Sequence, residues 1–450
     1  MVTIGEEKYE KMTRTPIPRL VISMAIPTTI STIITVIYNT ADTWFVSQIH
    51  ESAAAAIGVV YSIMAVLQAV GFGIGMGSGS LISRYLGKKQ VDQANVFASS
   101  GLATSIAVGF VVGCLCLCVL EPLLRLIGAS DTILPYAVPY ARIILLGAPV
   151  SCSVFVLNNL LRAEGNTKLV LWGTMTGGIL NLVLDPILIF SLRMGSGGAA
   201  LATVLSQCAN WCILFSAFAR GKTILRLRLA SVSRSRTTYL QILTTGSPTV
   251  LRQGLGSVST TALNIQALVY GDTAVAAITI AGKIYTLVRQ VVLGIGQGFQ
   301  PVAGYNYGAG QRGRAFHAFC FATFLGTVVC VTAAIVLGIF AEDILWWFCA
   351  SANVVRLGSQ TLRIFCWVMP LLAFSTFVNQ SYQCLGFSRL ASLLASCRQG
   401  IFFLPAIVLL PRFLGILGVQ ITQSLADLMT FLLSIPFAIH FYRNIIRKHE

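Results

Sequence analysis

Charge is what this 450-residue sequence has least of: Asp, Glu, Lys and Arg together make up 10% of it, against about 25% in a soluble globular chain. That is too little to coat a water-soluble body of this length, so a cytosolic enzyme, a disordered chain and a secreted disulfide scaffold are all poor fits. Histidine is nearly absent. His50, His317, His440 and His449 all fall in loops or at helix ends, leaving no candidates for haem ligation or a His-based proton relay inside a membrane. The twelve cysteines contain no CxxC pair, so neither a zinc site nor a redox motif is indicated. Scattered through runs such as Leu115-Cys116-Leu117-Cys118, they read as small core hydrophobes. The chain also lacks G-x-S-x-G, H-E-x-x-H and the phosphate loop G-x-x-x-x-G-K-[ST]. A membrane-embedded enzyme therefore has no nucleophile–base pair or metal cluster to work with, and no cofactor is expected.

What the sequence does have is apolar length. Hydrophobic residues make up 56% of it. Runs of about 20 mostly apolar residues, enough to cross a bilayer as a helix, occur about twelve times, centred near residues 30, 68, 107, 147, 179, 207, 256, 289, 327, 369, 399 and 429. The runs are continuous rather than alternating, which excludes a β-barrel. The first is too long for a signal-peptide core and is expected to stay as the first spanning helix. The net charge of +16 does not mark a nucleic-acid binder, because the basic residues are sorted by loop. With the N-terminus in the cytoplasm, twenty-two Lys and Arg residues (Lys8, Lys88, Arg162, Arg226, Arg398 and Lys448 among them) lie on the cytoplasmic side. Only Arg125, Arg193, Arg356 and Arg412 lie outside, and Arg142, Arg252, Lys283, Arg289 and Arg363 fall within spans. That bias places both termini in the cytoplasm.

The chain also repeats itself. Pro27 matches Pro248; Gly73, Gly75 and Gly77 match Gly294, Gly296 and Gly298; Gly87 matches Gly308 and Gln90 matches Gln311. Arg142 and Arg363, Pro149 and Pro370, Asn158 and Asn379, and Gly165 and Gly386 match likewise, each pair 221 positions apart. A constant spacing of this kind is the signature of duplication. Six spans per repeat bring both halves in from the same side, so the halves are related by an axis along the membrane normal. The expected architecture is an all-α integral membrane protein of about twelve transmembrane helices in two six-helix lobes. The N-terminal lobe covers residues 1–219, a basic cytoplasmic linker 220–238 and the C-terminal lobe 239–450. The linker is expected either to lie on the anionic leaflet or to be a plain loop. Glycines at helical spacing (Gly71, Gly75, Gly79; Gly294, Gly298) point to close helix packing, and prolines inside spans, Pro27 above all, mark bends.

Among fifteen acidic residues only Asp42, Asp185 and Asp427 lie well inside apolar runs, with Glu164 and Asp92 at cytoplasmic ends. A carboxylate in the bilayer costs roughly 2.5–3.5 kcal/mol on the gentlest scale, so it must be paired, protonated or bound to a cation. Asn39 and Asp42 are three apart on the first span, with Tyr38 beside them. Asn181 and Asp185 are four apart on the fifth, and Thr203 and Gln207 four apart on the sixth, each pair on one helix face. Brought together, two carboxylates with amide and hydroxyl oxygens make either a hard-cation site or a pair that holds one proton. The counterparts of Asp42 and Asp185 in the second repeat are Leu263 and Ala406, which assigns this chemistry to one half. Asp427, aligned with Gln207 after a one-residue slip, reads as a structural polar partner. Lys283, near mid-span, is expected to line a cavity, where it contacts substrate or neutralises an acid.

Four segments taken together resemble the multidrug and toxic compound extrusion (MATE) family, most of all its bacterial MepA-like and DinF-like branches. They are Tyr38-Asn39-Thr40-Ala41-Asp42-Thr43, Leu161-Arg162-Ala163-Glu164-Gly165-Asn166, Asn181-Leu182-Val183-Leu184-Asp185-Pro186 and Gln300-Pro301-Val302-Ala303-Gly304-Tyr305-Asn306-Tyr307-Gly308-Ala309. The likeness runs from about residue 15 to 440. It implies a V-shaped antiporter in the bacterial cytoplasmic membrane that exports bulky, often cationic aromatic compounds against an inward flow of H⁺ or Na⁺ and acts as a monomer. It carries the first-lobe ion site onto Asp42, Asn181, Asp185 and Thr203, and first-lobe cavity positions onto Tyr38, Tyr140 and Asn158. The seventh span, Thr249 to Tyr270, holds no acid, so a second-lobe cation site is not expected. The alternative cargo is a lipid-linked or other amphipathic anion, moved by a flippase of the same architecture; the in-span basic residues keep that alternative open.

Overall fold

The computed structural model describes residues 4–446. Arg447, Lys448 and His449, which entered the charge and histidine readings above, lie outside the described residues. The described chain is helical from end to end. In the first repeat the helices are α1 (Ile4–Arg14), α2 (Ile17–Ser47), α3 (Glu51–Gly87), α4 (Val91–Cys118), α5 (Leu120–Leu126), α6 (Leu134–Leu146), α7 (Ala148–Ala163), α8 (Thr167–Pro186) and α9 (Gly195–Ala219). In the second they are α10 (Arg236–Leu268), α11 (Asp272–Gly308), α12 (Arg312–Ile339), α13 (Ala341–Phe348), α14 (Ala352–Val368), α15 (Leu372–Leu385), α16 (Ser388–Ser396), α17 (Phe403–Leu414) and α18 (Ile416–His440). The helix starts repeat the 221-residue spacing: 51 and 272, 91 and 312, 120 and 341, 195 and 416. Only a helix satisfies its own backbone in lipid, which is why apolar runs without internal turn signals read out this directly.

Among the described residues, ten helices are long and apolar enough to cross a membrane, or eleven when α6 and α7, bent by 53° at their junction, count as one span. The remaining long helix is α10. It forms at the expected place but carries Arg252, Gln253, Ser257, Thr260, Thr261 and Asn264, and its low apolarity comes from these.

Two compact units emerge. One comprises Met1–Arg14 with Ile30–Gly246, the other Thr15–Thr29 with Ser247–Glu450. In each repeat the first long helix therefore changes unit within two residues of its proline, Pro27 in α2 and Pro248 in α10. The glycine rows explain how each helix seats in its unit. A Cβ on Gly77 would lie 2.1 Å from the Ile242 carbonyl oxygen, so α3 and the start of α10 touch backbone to backbone. A Cβ on the equivalent Gly298 would lie 2.6 Å from both Cα and N of Ala25, so α11 and the start of α2 do the same. Small-residue packing is the expected role, but it is spent on the first helix of the opposite repeat. The neighbouring glycines Gly75 and Gly296 face equivalent partners inside their own repeats, Asn159 and Gln380.

The linker is a loop, but its backbone is tied down. Ile224 and Leu225 donate their N–H groups to Glu164 Oε2 at 2.9 and 3.4 Å. Arg226 N donates to Asn95 Oδ1, Arg228 N to Ser99 Oγ and Ser233 N to Ser100 Oγ. The strap thus runs along α4. The polar side chains of α4 satisfy amides that a loop would otherwise leave to water.

Candidate functional site

Asp42 sits on the buried side of the C-terminal half of α2, and its Oδ2 accepts a hydrogen bond of 3.3 Å from the Tyr140 hydroxyl on α6. Asn181 and Asp185 occupy the last turn of α8, where Asn181 Nδ2 donates to Asp185 Oδ1 at 3.3 Å. All four side chains are buried. The two carboxylates lie within electrostatic reach of each other, and Tyr140 feels both. Pro186 follows, then a π-helical turn, Ile187–Ser191; a break of this kind is frequent at functional sites. The approach of α2 to α8 depends on Gly178, where a Cβ would stand 3.0 Å from Ile34 Cγ2 and 3.4 Å from Tyr38 Cδ1.

Three oxygens in this cluster lack a donor among the described residues: Asp42 Oδ1, Asp185 Oδ2 and Asn181 Oδ1. An unbonded buried acceptor costs about 1–3 kcal/mol, more for a charged group, and two carboxylates at short range cannot both stay ionised without compensation. The cluster is short of positive charge. A proton shared between the acids would supply it, and so would a hard monovalent cation held by their oxygens.

The other expected positions are distributed around this pair. Tyr38 is near Asp42. Thr203 is buried on α9, which packs along α8 through Gly173 and Gly177. Gln207, one turn further on, accepts from Ser151. Asn158 is buried on α7 with its Oδ1 also lacking a donor among the described residues. Asn39 is exposed while Asp42 is buried. Three residues of helix leave two side chains about 60° apart around the axis, and here that separation carries Asn39 off the buried face. Lys283 is exposed on α11 and makes no ion pair among the described residues.

Two arrangements were not legible in the residue spacing. Glu164, at the end of α7, is fully buried and accepts from Lys8 Nζ at 3.1 Å as well as from the linker amides. Burial raises its pKa above the usual carboxylate range, while the Lys8 ammonium and the two amides pull it back. The second arrangement involves Arg398. It was counted above on the cytoplasmic side and lies ten residues into the span Ser388–Leu414, on a π-helical turn, Cys397–Ile401. Its Nε contacts Asp427 Oδ1 at 2.5 Å and its Nη2 donates to the Tyr285 hydroxyl at 2.7 Å. Tyr285 and Gln423 also donate to Asp427. The apolar run centred near residue 399 already contains Arg398, but its partners Asp427 and Tyr285 were not legible, because proximity between distant segments leaves no trace in local sequence.

A polytopic helical bundle built from two repeats, with an under-compensated acid pair inside one of them, is the construction of a membrane transporter. The comparisons with known proteins agree. The model of the MatE family matches residues 27–187 and again residues 248–408, the same 221 positions apart, and the chain belongs to that family of multidrug efflux transporters. It is 24% identical to the multidrug export protein MepA of Staphylococcus aureus over 435 residues, covering 95% of this chain and 96% of that one. Its fold is similar to a crystal structure of MATE in complex with MaL6, with a TM-score of 0.91, 26% identity and coverage of 98% and 99% of the two chains. It is also similar to a MOP superfamily transporter from Pyrococcus furiosus, with a TM-score of 0.90, 25% identity and coverage of 97% and 98%; that structure's description reports a reversed polarity of its binding pocket.

Proposed function

We propose that the chain is a cation-coupled efflux antiporter of drug-like compounds, with its ion site at Asp42, Asn181, Asp185 and Thr203. The observation that carries this reading is the set of three buried oxygens without a donor among the described residues, one each on Asp42, Asp185 and Asn181. The site works by changing charge. With a cation or proton aboard, the pair carries one negative charge instead of two and its burial costs less; empty, it carries a repulsion that disfavours the closed, dry arrangement. Ion occupancy therefore biases one access state over the other. Each charge moved inward yields about 2.3 kcal/mol per 100 mV, which drives export of the cargo. Pro27, beside the residue at which α2 changes unit, is the point at which that helix flexes. One chain carries both repeats, so a monomer suffices. The sorting of Lys and Arg among the loops supports a location in the cytoplasmic membrane with both termini inside.

The fold leaves the polarity of the cargo open, as the Pyrococcus furiosus relative illustrates, so the cargo has to be read from each chain's own residues. The test is efflux of a cationic aromatic dye from proteoliposomes under separately imposed pH and sodium gradients. One gradient should drive efflux in the wild type, and Asp42→Asn and Asp185→Asn should each reduce it to the level seen with no gradient. Gradient-driven efflux that survives in both variants would remove the ion site from these residues.

A further inference from the structure

We propose that the second lobe holds an oxyanion site, in which Arg252 on α10 and Arg289 on α11, beside the Arg398–Asp427 pair, bind the carboxylate or phosphate group of an amphipathic ligand. Arg289 stands one helical turn beyond Tyr285, whose hydroxyl accepts from Arg398, and Arg252 stands two turns before Ser259, whose hydroxyl donates to the carbonyl of Gln399 next to Arg398. The three guanidinium groups fall within electrostatic reach of one another and form one cluster. All three belong to the same compact unit. The cluster contains a single carboxylate, and its oxygens already accept from Arg398, Tyr285 and Gln423. Arg252 and Arg289 make no hydrogen bond or contact ion pair among the described residues, and Arg289 Nε is a buried donor with no acceptor. A guanidinium cannot shed its proton to escape burial. Two positive charges at mid-span are thus left without compensation from this lobe, and burying an unpaired charge is costly.

The remaining features fit a ligand and not a structural role. Arg252 and Arg289 are half-buried, so they stay reachable, while the side chains of Arg398 and Asp427 are 13% and 5% exposed and already bonded to each other. Arginine's planar fork binds carboxylate and phosphate in a two-pronged way that lysine cannot match. The cluster is also particular to one repeat: the positions 221 residues earlier are Ser31, Gln68 and Gly177, all neutral. The chemistry on offer is that of one oxyanion carried by either a soluble amphiphile or a lipid headgroup.

The test reads binding without any ion gradient, so its failure is distinct from a failure of ion coupling. Full-length protein in phosphatidylcholine nanodiscs is titrated with three dansyl-labelled probes that share one alkyl chain and end in a carboxylate, a phosphate or a neutral amide. The two anionic probes should bind about tenfold or more tighter than the amide. Arg252→Gln and Arg289→Gln should each bring them down toward the amide, while Arg142→Gln, an exposed arginine of the first lobe, leaves the preference in place. Wild-type protein gives an answer independent of any variant, because unlabelled dodecyl phosphate should displace the carboxylate probe where dodecanamide does not. Equal affinity for all three probes, or a preference that persists in the Arg252→Gln/Arg289→Gln double variant, overturns the proposal. Nanodiscs containing phosphatidylglycerol separate the two sources: loss of probe binding there identifies a lipid headgroup as the occupant, and unchanged binding identifies a soluble amphiphile.

Discussion

Asp42 and Asp427 are both buried carboxylates that accept from a tyrosine hydroxyl, Tyr140 in one case and Tyr285 in the other. Beyond that they live under opposite conditions. Asp427 has an arginine and a glutamine in addition, and its charge is matched in place. Asp42 has one long hydrogen bond, an oxygen without a donor among the described residues, and a second acid for company. The two repeats share helix starts, glycine seats and prolines at constant spacing, yet one polar centre has an excess of negative charge and the other of positive. Duplication preserves what packing demands and leaves the polar interior free to diverge, because a glycine facing a backbone has no substitute while a buried polar group needs only some partner.

That contrast can be broken at several points. The largest effect on stability is expected in the second lobe. Arg398→Ala leaves Asp427 buried without its counter-charge and should cost about 3–5 kcal/mol in the unfolding equilibrium in detergent, while Arg398→Leu combined with Asp427→Leu recovers most of it. Asp42→Asn, which removes an under-bonded charge, should leave stability unchanged or slightly raised; a comparable loss there would erase the distinction between the two acids. Next come the glycine seats, which test whether the shared scaffold is truly shared. Gly77→Ala and Gly298→Ala each force a Cβ against backbone and should each lower stability by about 1–3 kcal/mol. Unequal tolerance measured by thermal unfolding would show that the two seats are not equivalent.

The smallest effect concerns Glu164. Its proton affinity is raised in the folded chain, so the folded state holds the proton more tightly than the unfolded one. Its contribution to stability is therefore full below the ordinary glutamate range and falls as pH rises through the raised folded value. Glu164→Gln should flatten that slope, and a slope unchanged in the variant would assign the pH dependence elsewhere.

The acid pair was legible before any coordinates because a carboxylate in an apolar run is conspicuous, and helical spacing places Asn181 beside Asp185. The exposure of Asn39 was not, since a separation of three residues does not say on which side of the buried face a side chain falls. Arg398 falls within the apolar run centred near residue 399, but its π-helical turn and its bond to Asp427 come from packing and were not legible. Glu164 looked like an ordinary helix-end acid, and only the folded linker shows it clasping Lys8 and two amides.

The sequence by itself determined the long apolar helices, the doubling of the scaffold and which half holds unpaired acids. These follow from transfer free energies and from spacing along one chain. Only the tertiary structure decided which buried polar groups have partners: that Asp427 is satisfied, that Asp42 and Asp185 are not, and that Arg252 and Arg289 crowd a third arginine. Compensation of charge is a property of distances in space, and residues 113 or 142 positions apart become neighbours only once the helices have packed.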